Sequence, residues 1–289
     1  MRYAVIKEYK GVLPLFKCCR LLYVSRSGYY VWLKNSLKPT VDEFGLKIVE
    51  LFHKFKRRYG AIRLRNELKK EGVKASKKKI GKAMKKYGLV AKATKKFVVT
   101  TDSKHDLPIS PNLLRRCFAS SAPNAVWGTD ITYIQTEFGW RYLAVVIDLF
   151  DRAVVGWELA DNMKKEIVIN ALQKAIKRRK PQKGLIVHSD RGSQYCSYAY
   201  QRLLSKNAFR SSMSAKGDPW DNAVVESFFG SFKTELIHDE KWDDEVNLHC
   251  EIREYIEIDY NRERQHSALG YLSPYEYMKN VLNVQNTAA

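Results

Sequence analysis

The chain has no long apolar run. Nowhere in its 289 residues does an apolar stretch approach the roughly 20 residues that span a bilayer. The opening MRYAVIKEYKG also lacks the apolar segment of a secretory signal. A soluble protein of the cytosol, with no membrane partner, is the expectation. Cysteine is sparse as well. The five cysteines, at 18, 19, 117, 196 and 250, include no CxxC pair, so neither a disulfide framework nor a structural zinc site is expected, and free buried thiols are. Acidic residues are scarce at the start. Residues 1 to 120 hold 8 Asp and Glu against 30 Lys and Arg, a balance of +22, whereas residues 121 to 289 hold 23 against 21, a balance of −2. The formal net charge of +20 is therefore a property of the N-terminal part.

A segment so short of acids cannot neutralise itself, so a nucleic-acid backbone is its expected counter-surface. Binding of that kind weakens steeply with salt and carries little sequence information by itself. Residues 12 to 34 read as a small helical hairpin, with Leu15, Cys19 and Leu22 at helical spacing and Ser25 or Ser27 able to cap its second part. In residues 42 to 90 three helices are expected. Leu46, Val49, Phe52 and Phe55 mark one face of the first, Ile62, Leu64 and Leu68 mark the second, and Ser76 caps a third in which Ile80, Met84 and Tyr87 face inward. The third helix carries Lys77, Lys78, Lys79, Lys82, Lys85 and Lys86 on its other faces. It has no Arg, Asn or Gln for bidentate base contacts, so it is expected to hold the duplex backbone rather than read sequence. Residues 91 to 123, polar and interrupted by proline, read as a linker in which His105 is solvent-exposed.

From residue 124 the pattern changes to strands. VWGTDITYI, WRYLAVVIDLF and AVVGWEL, joined by short turns, suit an antiparallel meander. A helix capped by Asn162 follows, with Ile167, Ala171, Leu172 and Ile176 inward. Then come a strand ending at Asp190, a helix near Tyr198, a short strand near Phe209, a helix bearing Glu226 and a long helix from about Glu245 to Arg262. Three carboxylates stand out: Asp130 and Asp190 at strand positions and Glu226 on a helix, the last two separated by 35 residues. Apolar neighbours make an unpaired carboxylate costly, and a hard divalent cation with oxygen ligands offsets that cost. On the Glu226 helix, Asn222, Glu226 and Lys233 share a polar face, opposite Val225, Phe228, Phe229, Phe232 and Leu236. Asp221 reads as an N-cap, and Asp148 and Asp151 as turn-forming. His188 and Asn222 read either as supports of the site or as satisfied polar residues.

The residues Trp127-Gly128-Thr129-Asp130-Ile131-Thr132, His188-Ser189-Asp190-Arg191-Gly192 and Asp221-Asn222-Ala223, the last leading to Glu226-Ser227-Phe228-Phe229 and Lys233, occur in an order that resembles the DDE transposases of bacterial insertion sequences. Tyr260-Asn261, Arg264, His266-Ser267-Ala268-Leu269-Gly270 and Ser273-Pro274 continue the likeness, which is narrower still to the second-reading-frame (OrfB) product of two-frame elements. The resemblance implies an α/β fold with a ribonuclease H-like, retroviral-integrase-type core on a mixed five-stranded sheet, preceded by a basic helix-turn-helix-like region. Its divisions would be 1–90, a linker at 91–123, and a core with a C-terminal helical extension at 124–289. Asp130, Asp190 and Glu226 would be catalytic, holding two Mg2+ or Mn2+ ions for DNA strand cleavage and transfer at element ends. Lys233, Asn222, the six lysines and Arg264 would contact double-stranded DNA, with packing as the other reading of the C-terminal run. The chain would act as a homo-oligomer, alone or with a first-frame helix-turn-helix protein as fusion or partner. The His/His/Cys/Cys zinc domain of retroviral integrases has no counterpart in this sequence. A non-catalytic DNA-binding regulator and a nuclease of RNA:DNA hybrids are the rival expectations.

Overall fold

The computed structural model describes residues 2–36, 42–92, 108–115, 120–215 and 219–287. The expectations for His105 and Cys117, and most of the linker, lie outside the described residues. Three short helices open the chain: α1 (Arg2–Tyr9), α2 (Leu15–Leu21) and α3 (Arg26–Ser36). They pack around Ile6, Cys18, Cys19 and Tyr29, and Ser25 caps α3 by accepting from the Gly28 N–H at 3.0 Å. The periodicity of residues 12 to 34 accounts for the hairpin of α2 and α3, and α1 is an addition to it.

The next unit holds α4 (Glu43–Lys54), α5 (Ala61–Lys70) and α6 (Lys77–Lys86). Ser76 caps α6 as expected, accepting from the Lys79 N–H at 3.1 Å. The buried face of α4 is Ile48, Leu51 and Phe52, while Leu46, expected inward, is 52% exposed. All six lysines of α6 are solvent-exposed, and Ile80 and Ala83 make its inner face.

The larger part of the chain is a five-stranded sheet, β1 (Val126–Thr136), β2 (Gly139–Asp148), β3 (Val154–Ala160), β4 (Ile186–Ser189) and β5 (Arg210–Met213), in the order β3-β2-β1-β4-β5. Strands β1 to β3 form the expected antiparallel meander, and β4 and β5 add in parallel to β1. Both faces of the sheet are covered, so Leu143 to Asp148 of β2 are all buried. One face, with Trp127, Ala144, Val146 and Val155, packs on α7 (Lys165–Arg179), α8 (Ser193–Cys196) and α9 (Tyr198–Lys206). Gly156 permits this contact: a Cβ there would stand 2.3 Å from the Ala171 carbonyl oxygen. Helix α7 starts later than expected. Its N-cap is Lys164, and Asn162 instead accepts from the Lys164 N–H at 3.2 Å.

The opposite face, with Ile134, Leu143, Val145 and Ile147, packs on α10 (Ala223–Phe232) and α11 (Glu245–Glu254). Both helices run on into π-helical segments, Lys233–Ile237 and Tyr255–Glu263, whose five-residue bonds include His238 N–H to the Lys233 carbonyl (2.8 Å) and Arg264 N–H to the Asp259 carbonyl (2.7 Å). A last helix, α12 (Pro274–Thr287), follows. The C-terminal segments also seat the α4–α6 unit. Tyr59 Oη donates to the Glu263 carbonyl at 3.0 Å, Asn66 Nδ2 to Gln265 Oε1 at 3.1 Å and Lys70 Nζ to Glu276 at 2.9 Å, while Arg58 pairs with Asp259. Of the described cysteines, Cys18, Cys19 and Cys196 are free and buried, whereas Cys250 is free and exposed, which corrects the expectation of uniformly buried thiols.

Candidate active site

Asp130 and Asp190 meet because β1 and β4 are parallel neighbours. Their pairing runs Val126 to Ile186, Trp127 to Val187 and Gly128 to His188, a constant offset of 60 residues, so two steps further on Asp130 comes beside Asp190. The strands alternate, which turns Asp130 to the same face as Gly128, the face that α10 covers. Four apolar side chains on α10, Val225, Phe228, Phe229 and Phe232, are buried there. Each contributes about 1.5–3 kcal/mol, which outweighs the roughly 1 kcal/mol that Gly230 costs inside a helix. Gly128 sets the depth of this contact, since a Cβ there would lie 3.0 Å from Val225 Cγ2. Glu226, the residue after Val225, thus rides on the helix that covers the Asp130 face, and its charge reaches Asp130.

Asp130 feels the other two carboxylates. Asp130 is pushed well above the ordinary carboxylate value, first by burial, then by the charge of Asp190 and, more weakly, of Glu226; the Ile131 N–H, which donates to Asp130 Oδ1 at 2.8 Å, and the Lys233 ammonium work the other way. Glu226 is raised by burial. Asp190 Oδ1 accepts from the Gly192 N–H at 2.9 Å. Beneath the pair, the buried Tyr195 hydroxyl lies 3.3 Å from Thr129 Oγ1, and burial together with the charges of Asp130 and Asp190 raises its pKa. Lys233 is buried with Nζ 4.3 Å from the centre of the Tyr133 ring; burial lowers it to about 8, and Asp130 opposes that shift. Among the described residues no three His, Cys, Asp or Glu side chains are grouped closely enough to hold a metal ion. The donor chemistry nevertheless suits a hard divalent cation, because Asp130, whose carboxyl is raised by burial and by the charges of Asp190 and Glu226, gains from a positive charge beside it.

The remaining expected residues divide by burial. His188 is buried and neutral, its pKa lowered by desolvation. Its Nδ1 lies 2.8 Å from Ser212 Oγ and its Nε2 2.9 Å from the Asp221 carbonyl oxygen, so it ties β4 and β5 to the turn before α10. Asn222 donates from Nδ2 to the Thr129 carbonyl at 3.2 Å and is 7% exposed, a tether of α10 to β1. Asp221 does not cap α10. Its carboxylate accepts from the Ala215 N–H at 2.8 Å and from Asn112 Nδ2 at 2.9 Å, and Asn222 takes the cap position. Arg264 has its guanidinium turned inward on Glu235 and Ser231. Asp148 and Asp151 shape their turn as expected, accepting from the Phe150 and Ala153 N–H groups at 3.0 and 2.9 Å. Sequence reasoning passed over Tyr133, Tyr195 and Glu235. Only the neighbourhood of Tyr133 and Tyr195 to the motif acids signalled them.

Models of the integrase core domain match residues 120–219 and 207–274, and a model of an HTH-like domain matches residues 41–97. The chain is 43% identical over 282 residues to Transposase InsF for insertion sequence IS3A of Escherichia coli (strain K12), spanning 96% of this chain and 98% of that protein. The chain belongs to the IS3 family of insertion-sequence transposases. The transposase is also 40% identical over 259 residues to an uncharacterized 31 kDa protein of insertion element IS600 from Shigella sonnei, over 89% and 95% of the two chains. The HTLV-2 integrase catalytic core domain, solved in complex with magnesium, aligns with 55% of this chain and 98% of its own at a TM-score of 0.44 and 18% identity. The transposase thus carries its integrase core on the sheet and its HTH-like segment on α4 to α6.

Proposed function

We propose that the transposase cleaves and joins DNA at the ends of its insertion sequence by phosphoryl transfer, with Asp130, Asp190 and Glu226 as the catalytic carboxylates. The observation that carries this reading is the parallel register of β1 and β4, which brings two motif aspartates side by side on the face where α10 carries Glu226. Asp130, Asp190 and Glu226 would hold two Mg2+ or Mn2+ ions, which when bound polarise the phosphate and activate the attacking oxygen. The chain's own groups do the rest. Lys233, beside Asp130, meets the phosphate that reacts, and Tyr133 fixes its ammonium. Apolar packing of α10 keeps Glu226 at a set depth, so the reacting groups are oriented before DNA arrives.

Residues 1–90 grip duplex DNA through the exposed lysines of α6, which supply backbone contacts rather than base readout. Residues 91–123 connect them to the core at 124–289. An oligomer holds the two element ends, with or without a first-frame helix-turn-helix protein. The test is magnesium-dependent joining of a labelled element-end duplex to target DNA, by the chain or by its first-frame fusion, beside Asp190→Asn. Joining is expected to vanish in Asp190→Asn while duplex binding persists. Joining that survives in Asp190→Asn overturns the assignment.

A further inference from the structure

Lys233 and Glu235 stand two residues apart in the π-helical segment that continues α10, and they serve different surroundings. Lys233 lies against Tyr133 in the field of Asp130. Glu235 is equally buried, and its carboxylate is the hub of a network. Arg264 donates from Nε to both its oxygens at 3.1 Å and from Nη2 to Oε1 at 2.8 Å, and the Tyr255 hydroxyl donates to Oε2 at 3.0 Å. The same guanidinium donates to Ser231 Oγ at 2.7 Å, which fastens the end of α10. The helical unit reaches this hub from the other side. Arg63 Nη1 is 3.7 Å from Oε1, and Lys92 Nζ donates to the Glu235 carbonyl at 3.1 Å.

Buried ion pairs of this kind give little net stability compared with well-packed apolar residues, whereas the forked geometry of arginine on a carboxylate fixes orientation closely. π-Helical turns are uncommon and concentrate at functional sites. This one carries Lys233, and it is clamped from outside at Glu235. We propose that Glu235 is a positioning residue for strand transfer: through Arg264 and Tyr255 it fixes the π-helical turn that sets where the Lys233 ammonium stands beside Asp130. The inference rests on the reading of Asp130, Asp190 and Glu226 as the reaction centre. It also gives the helical unit a physical link to that centre, since Arg63 and Lys92 end on the residue that holds the turn.

The test is a double-mutant cycle in the joining reaction above, run with whichever form, chain or fusion, joins DNA. Single-turnover joining, duplex affinity and melting temperature are measured for Glu235→Gln, Lys233→Ala, the double variant and Glu235→Asp. A displacement of about 1 Å at a reacting group costs about 10²-fold in rate. Glu235→Gln is therefore expected to slow joining on that order with duplex affinity kept, and Glu235→Asp to recover part of the loss. The double variant is expected to be no slower than Lys233→Ala alone, because Glu235 acts through Lys233. A merely structural role predicts multiplied losses, and losses that multiply overturn the proposal, as does a Glu235→Gln chain that joins at the wild-type rate. Should Glu235→Gln fail to fold, Arg264→Lys, which keeps the charge and loses the fork, takes its place in the cycle. Asp190→Asn runs alongside. Joining that survives there overturns the reading of the site itself, whereas joining lost there together with multiplied losses in the cycle overturns this inference alone.

Discussion

Gly128 decides how near Glu226 comes to the aspartates. A Cβ on it would lie 3.0 Å from Val225 Cγ2 and 3.4 Å from Leu149 Cδ2. Carbon atoms in ordinary contact sit about 3.5–4.0 Å apart, so Gly128→Ala requires Val225, and the helix that it anchors, to give way by a few tenths of an ångström. Overpacking of this kind costs about 1–3 kcal/mol, and each kcal/mol lowers Tm by about 2–4 °C in a domain of about this size. The chemistry is affected as well. Glu226 follows Val225 directly, and a misplacement of about 1 Å costs about 10²-fold, so a shift of a few tenths of an ångström is expected to slow joining by about 4- to 10-fold. Gly156→Ala is the control. Its Cβ would stand 2.3 Å from the Ala171 carbonyl oxygen and 2.7 Å from the Ala175 nitrogen, both backbone atoms of α7, so no side chain can turn aside and Tm should fall further. That contact lies on the sheet face away from α10, and joining by the folded fraction should persist. The assay is single-turnover joining below the Tm of both variants. A folded Gly128→Ala chain that joins at the wild-type rate refutes the argument, and so does a folded Gly156→Ala chain that loses joining equally.

The lysines of α6 are testable by salt. Each phosphate contact contributes about −0.9 to the slope of log K against log salt on duplex DNA, so Lys78→Ala with Lys82→Ala, both exposed in the wild type, should make the slope shallower by about 1.8 whatever the sequence; an unchanged slope in fluorescence anisotropy removes this helix from the DNA surface. Asp148 gives a pH dependence. It is wholly buried, accepts from the Asn124 and Phe150 N–H groups, and is raised from 3.8 to about 6 by burial and then by Asp151. A carboxyl whose folded value is raised contributes stability that is present below about pH 4 and lost as pH rises through about 6. At about 1.36 kcal/mol per unit, the stability of the wild type relative to Asp148→Asn should fall by about 3 kcal/mol over that window in urea unfolding. A difference between the two that stays constant with pH contradicts the assignment.

The sequence made the sheet and its two aspartates legible because both depend on short-range pattern. Alternation placed Asp130 on a strand, an apolar run placed Asp190 at a strand end, and the apolar stripe of α10 turned Glu226 toward them. Where the structure departs from that reading, a distant partner decides. Helix α4 has apolar residues at 44, 46, 48, 49, 51, 52 and 55, an arc too wide for periodicity to choose a face, and contacts with α5 and α6 choose Ile48, Leu51 and Phe52 over Leu46. The π-helical shift at Lys233 changes the count along the helix by one residue per turn, which no pattern of apolar residues records. Charge was the least legible property. Arg264 reads from sequence equally as a DNA contact or as a packing residue, and the structure spends it on Glu235, 29 residues away, while Asp221 reads as a cap but holds Ala215 and Asn112. A sequence shows that a charge exists and says nothing of whether its partner is a phosphate or a buried carboxylate. The two cases separate only by burial, and for this transposase burial assigns the lysines of α6 to the outside and Arg264 and Glu235 to the joint between the helical unit and the core.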